Sequence, residues 1–214
     1  LRAQISEYLA QQKEAQLEQT LADKMRKGAS IRILLEEPEP PVQQVKPGNG
    51  PARGDMNAAV TIVEFTDFQC SACGAMYPVM EEVLKSYGNR VRFVIRNFPL
   101  TSLHPYAFKA AEAAKAASEQ GKFWEYIDRL FHNQNALDDA SLKKYASEVG
   151  LDRKRFDAEL DGGVHAAEIQ SDVEDGELYG IEATPTIFIN GVMLEELSAD
   201  AVREEIERAF KKLR

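Results

Sequence analysis

Cys70-Ser71-Ala72-Cys73 holds the only two cysteines of a 214-residue chain. Thiols three residues apart at the start of a helix lie on adjacent turns, about 5–6 Å apart, within reach of an unstrained disulfide. A bridge closing so short a loop constrains the unfolded chain by only about 2 kcal/mol. A chain of this length can bury a large core without such a staple. The pair therefore reads as a reagent. Cys70 would sit where unpaired backbone N–H groups and the positive end of the helix dipole favour a thiolate. It is read as the attacking sulfur and Cys73 as the resolving one. A thiol of ordinary pKa is roughly 3% ionised at neutral pH, so helix-terminus stabilisation makes thiolate the main form. The same stabilisation favours the reduced protein and makes the disulfide more oxidising.

Glu64 precedes Cys70 by six positions on the β-type run Val60-Thr61-Ile62-Val63-Glu64-Phe65. Strand alternation puts it on the face of Ile62, partly buried beneath the following helix. There its pKa would rise and it could take the proton of Cys73; the alternative is an ordinary edge-strand Glu. Thr184-Pro185-Thr186 opens a later strand, where proline is tolerated and a cis bond is plausible. A zinc site would need a ligand couple from His104, His132 and His165, which are not spaced as one. No metal and no cofactor are expected. Two other readings stay open: a chaperone module with idle cysteines, and a thiolate site for a soft ion such as Cu(I).

Certain elements must position these groups. Strands are expected at 60–65, 91–96 and 186–189, and an Asn190-Gly191 hairpin leads to Val192-Met193-Leu194. Helices are expected at 71–87, kinked at Pro78, and at 198–213. Between the second and third strands run helical patterns at 105–119, 122–132, 139–149, 153–160 and 164–178, with Phe123, Trp124, Tyr126 and Phe131 as core. The plan is a small sheet split by a helical insertion at about 103–179. Upstream, residues 1–27 read as a helix ended by Gly28. Its apolar patches (Leu1, Ile5, Tyr8, Leu9 and Leu17, Leu21, Met25) are rotated apart, which suits a helix docking on two surfaces, or one fraying alone, better than a long coiled coil. Ile31, Ile33 and Leu35 suggest a short strand. Residues 1–37 thus form an arm, 38–54 a Pro/Gly-rich linker and 55–214 the main domain.

The net charge of −9 belongs to residues 51–214, because residues 1–50 carry seven basic and seven acidic side chains. No basic stripe interleaved with aromatics is present, which argues against nucleic acid as a partner. No apolar run approaches the roughly 20 residues that span a bilayer. The chain opens Leu1-Arg2-Ala3 without Met or a charged-then-apolar leader, so a mature or trimmed product is expected.

Phe65-Thr66-Asp67-Phe68-Gln69-Cys70-Ser71-Ala72-Cys73, Arg96-Asn97-Phe98-Pro99-Leu100, His104-Pro105, Gly121-Lys122-Phe123-Trp124 and Ala183-Thr184-Pro185-Thr186 occur in this order. Together they resemble the bacterial DsbA-like thioredoxin-fold oxidoreductases over about residues 55–213. The resemblance implies an α/β thioredoxin fold with an inserted helical domain, here preceded by an N-terminal helix and Pro-rich arm. It implies a nucleophile at Cys70, a resolving Cys73, proton transfer through Glu64 and a cis-proline at Pro185 facing the site. Thr184 would pair its backbone with a bound substrate segment by β-addition, with Ser71 and Ala72 beside it. The implied activity is protein thiol:disulfide exchange, as oxidase or isomerase, in the periplasm or cell envelope. Its partners would be unfolded or misbridged proteins and a redox protein that reoxidises or reduces the pair. Ser71-Ala72 departs from the Pro-His, Pro-Tyr or Gly-Tyr of many relatives, and Thr184 looks more like the isomerase branches. In such isomerases an N-terminal extension holds protomers together, a role residues 1–50 could share by analogy.

Overall fold

The computed structural model describes residues 2–28 and 39–213. The chain forms two compact units, Leu1–Glu39 and Pro40–Arg214. The first contains helix α1 (Arg2–Gly28), on which Tyr8, Leu17, Leu21 and Met25 are exposed. The strand suggested by Ile31, Ile33 and Leu35 lies outside the described residues.

The second unit is built on five strands: β1 (Ala52–Arg53), β2 (Val60–Thr66), β3 (Val91–Asn97), β4 (Thr186–Ile189) and β5 (Val192–Met193), in the order β1-β3-β2-β4-β5. β2 runs parallel to β3, while β4 is antiparallel to β2. Both neighbours hydrogen-bond to β2, so Glu64 lies on the central strand and the edge-strand alternative is excluded. Asn190 and Gly191 both take positive φ, the requirement of the tight turn whose twist matches an antiparallel hairpin.

Alternation along β2 sorts its side chains into two cores. Val60 and Ile62 join the large core with Met76, Met80 and Val83 of helix α2 (Ser71–Tyr87), and with Val202 and Ile206 of α8 (Ala199–Lys212). Val63 and Phe65 join a smaller one with Phe98, Ile181 and Phe188 on the other face. Glu64 and Thr66 continue the Ile62 side, beneath α2. α2 continues through Pro78 from its first turn to Tyr87.

The insertion between β3 and β4 comprises α3 (Ala107–Ser118), α4 (Phe123–His132), α5 (Asp139–Glu148), α6 (Arg153–Asp161) and α7 (Ala166–Leu178). Ala110, Ala113, Ala114 and Ala117 of α3 are buried to the last atom; small side chains let neighbouring helices approach closely. Asp138 and Asp152 cap α5 and α6 by accepting from backbone N–H groups. Phe131 of α4 stacks on Tyr77 at 4.7 Å between centroids and meets Phe68 at 5.3 Å, which fastens the insertion to α2.

Residues 40–54 differ from the expected linker. Gln43 N–H donates to the Gly191 carbonyl, Val42 bridges to Val192, and Ile95 N–H donates to the Pro51 carbonyl. Ala52 and Arg53 then pair with β3. The prolines break regular pairing without preventing the chain from edging the sheet on both sides.

Arg96 anchors this belt from within. Its guanidinium donates to Asp172 at 2.6 and 2.8 Å, to Asp175 at 2.8 Å and to the Lys46 carbonyl at 3.3 Å. The other oxygen of Asp172 accepts from the backbone and side-chain N–H groups of Asn97. Asp172→Ala would leave a buried cation and two further donors short of acceptors. It is expected to cost about 3 kcal/mol, read as a lower urea midpoint.

Candidate active site

Cys70 is the N-cap residue of α2, in extended conformation (φ −71°, ψ 125°). Backbone N–H groups of Ala72 and Cys73 point toward its sulfur. The Cys70 thiol donates to the Thr184 carbonyl at 3.3 Å, across a Thr184–Pro185 peptide that is cis. Ser71 and Ala72 are exposed beside it, whereas Thr184 and Pro185 are buried. Cys73 accepts from the Asp67 N–H at 3.5 Å.

The two sulfurs differ in access. Cys70 is 9% exposed and Cys73 is 0%. Both are free thiols. The Cys73 thiol and the helix N–H groups hold the Cys70 pKa down to about 5 against the cost of burial. Burial, the Cys70 anion and Glu64 push Cys73 far upward. The surroundings thus favour the thiolate of Cys70 and the protonated form of Cys73.

Glu64, 3% exposed, is flanked on the sheet by Ile95 and Ile187. Burial raises its pKa to about 7, opposed by the Thr66 hydroxyl. A carboxyl balanced near neutrality beside a protonated thiol can accept or return that proton.

Asp67, Gln134 and Gly74 carry parts of the site that sequence reasoning missed. Asp67 is completely buried. Its carboxylate accepts from Gln69 N–H at 2.7 Å, Leu100 N–H at 2.9 Å and His104 Nδ1 at 2.7 Å. His104 thus ties the loop after β3 to the turn before Cys70. Gln134, in the loop after α4, donates to the Cys70 carbonyl at 2.6 Å and the Phe68 carbonyl at 3.0 Å. Gly74 makes room for it, since a Cβ there would lie 2.3 Å from Gln134 Oε1. The polar Asp67 inside the run before Cys70 was a readable signal; Gln134, 64 residues away, left none. His132 is exposed and His165 pairs with Glu159, both apart from the sulfurs.

A thioredoxin family model matches residues 46–208. The chain belongs to the thioredoxin family. Its fold is the DsbA-like form, with the helical insertion between β3 and β4. This thioredoxin-family chain resembles oxidised BdbD from Bacillus subtilis (TM-score 0.72, 23% identity, 81% of this chain and 100% of that one). It also resembles a thioredoxin-like oxidoreductase from Silicibacter pomeroyi (TM-score 0.69, 25% identity, 77% and 94%). Over 147 residues it is 45% identical to the Na(+)/H(+) antiporter NhaA 3 of Salinispora tropica, covering 69% of this chain and 22% of that protein. The chain therefore spans about a fifth of that curated relative. Among the described residues no helix is long and apolar enough to cross a membrane.

Two outcomes test this geometry. Unfolded Glu64 releases its proton near 4.5 and folded Glu64 near 7, so between those values the folded state binds more protons and stability falls as pH rises. Wild type should lose about 3 kcal/mol more than Glu64→Gln between pH 4 and 8 in urea titrations of the reduced proteins. Subtracting the variant cancels the opposite contribution of Cys70. Separately, Gly74→Ala should destabilise wild type by about 1 kcal/mol more than it destabilises Gln134→Ala, measured as a double-mutant cycle.

Proposed function

We propose that the chain is a protein thiol:disulfide oxidoreductase that forms or rearranges disulfides through a mixed disulfide on Cys70, resolved by Cys73. The observation that carries this reading is the asymmetry of the pair. The thiolate-favouring sulfur is at the rim, while the proton-retaining one is sealed where only a sulfur attached to Cys70 can meet it. Glu64 takes the proton of Cys73 as it attacks and returns it in the reverse direction. Thr184 and Pro185 line the other side of Cys70, and the Thr184 backbone accepts an extended substrate segment beside exposed Ser71 and Ala72.

Unfolded or misbridged proteins are the substrates. Leu103 and Tyr106 support this, being exposed apolar groups on a loop that Asp67 and Gln69 fasten beside the site. A second protein reoxidises or reduces the pair, and the compartment is an oxidising one such as the periplasm or cell envelope. Residues 1–37 act as an arm joining protomers, supported by the exposed Leu17, Leu21 and Met25 of a separate compact unit.

Cys70→Ala should reduce turnover of a scrambled or reduced test protein to background, while Cys73→Ser should accumulate the mixed disulfide on non-reducing gels. Undiminished turnover in Cys70→Ala would overturn the proposal. Client protection that survives loss of both cysteines would point instead to a holding module. Alkylation of Cys70 should rise with pH through a midpoint near 5, and light scattering should give a smaller assembly for residues 40–214 than for the full chain.

A further inference from the structure

Buried polar side chains in folded proteins nearly always find a hydrogen-bond partner, so those that do not call for a reason. Among the described residues, the Thr66 hydroxyl is buried with no such bond. Thr66 follows Glu64 by two positions on β2 and therefore shares its face, and the residue is 1% exposed. The next residue, Asp67, gives its N–H to Cys73 Sγ at 3.5 Å, which places that sulfur over the end of the strand beside Thr66. The hydroxyl is near enough to both groups to favour the anion of each. It forms an aligned hydrogen bond with neither.

We propose that the Thr66 hydroxyl is the proton relay between Cys73 and Glu64. The inference rests on the role given to Glu64 above and adds the group through which it acts. As Cys73 attacks, its thiol proton passes to Thr66 Oγ while the proton of Thr66 passes to the Glu64 carboxylate. The Cys73 thiolate displaces the substrate sulfur from Cys70. The Cys70–Cys73 bond forms, the bond from Cys70 to the substrate breaks, and the electron pair leaves on the substrate sulfur as a thiolate. The dithiol is oxidised and the substrate disulfide reduced by the same two electrons. In the opposite direction a substrate thiolate expels Cys73, which regains its proton from Glu64 through Thr66.

A hydroxyl suits this position because it donates and accepts at once and returns to its starting state. Other charged groups nearby are already held. Asp67 is bound by His104 and backbone N–H groups, and Arg96 pairs with Asp172 and Asp175 beneath the opposite face, against Phe65. Asn97, opposite Thr66 on β3, does not titrate.

The test is the rate of resolution of a preformed mixed disulfide between Cys70 and a small aromatic thiol, followed by release of that thiol from pH 5 to 9. Wild type should rise and level off as Glu64 ionises. Thr66→Val, nearly the same shape without the hydroxyl, should resolve about 10- to 100-fold more slowly at pH 7, rising with pH without levelling. Thr66→Ser should restore both rate and plateau, which a purely packing role would not. Glu64→Gln should lose the plateau as well. If Glu64→Gln loses it while Thr66→Val keeps the wild-type rate and profile, the relay is overturned and the role of Glu64 stands. If both variants keep the wild-type profile, both ideas fall. Solvent-isotope mixtures supply a measurement on wild type alone: a curved dependence on deuterium fraction supports two protons in flight, and a linear one overturns the relay.

Discussion

A carboxyl group with no cationic partner among the described residues occupies the middle strand of the sheet, and most of the architecture around the cysteines answers to that constraint. Exposed, Glu64 would be an ordinary anion. Burial between Ile95 and Ile187 brings its ionisation to neutrality. That position requires strands on both sides of β2 and a helix above it. The same helix presents Cys70 at its open end and Cys73 one turn inside. Sheet, helix and cysteine spacing together place a polarised sulfur pair over a carboxyl group that ionises near neutrality.

Holding the pair steady falls to groups outside the four-residue motif. Asp67 gathers the turn before Cys70, the loop after β3 and His104 on one carboxylate. Gln134 reaches from the insertion to the carbonyl at the helix start. These bonds fix backbone whose N–H groups must remain aimed at a sulfur, which is the preorganisation that makes dipoles effective in a dry site. The helical insertion is consequently part of the site's support.

Strands β2, β3 and β4 and the helices of the main domain were legible in the sequence because each carries a clear period and ends at a turn residue, and β5 followed from the Asn190-Gly191 turn. Glu64 could be assigned a face from strand alternation alone. What could not be read was contact across distance. Ala52 and Arg53 give no strand pattern, since two residues have no period, and they pair only because β3 presents an open edge. The Asp67–His104 bond and the Gln134 bridge join positions 37 and 64 residues apart. Neither leaves a trace in spacing.

The contact between Cys70 and the Thr184 carbonyl spans 114 residues. Synthesis proceeds from the N-terminus, so both cysteines and the helix that carries them are made long before the loop that faces them. During that interval the nascent chain has a paired thiol motif but no opposing wall and no β4 beside Glu64. Completion of the last strands therefore closes the wall against Cys70 and the flank of Glu64, a late event in the making of the molecule.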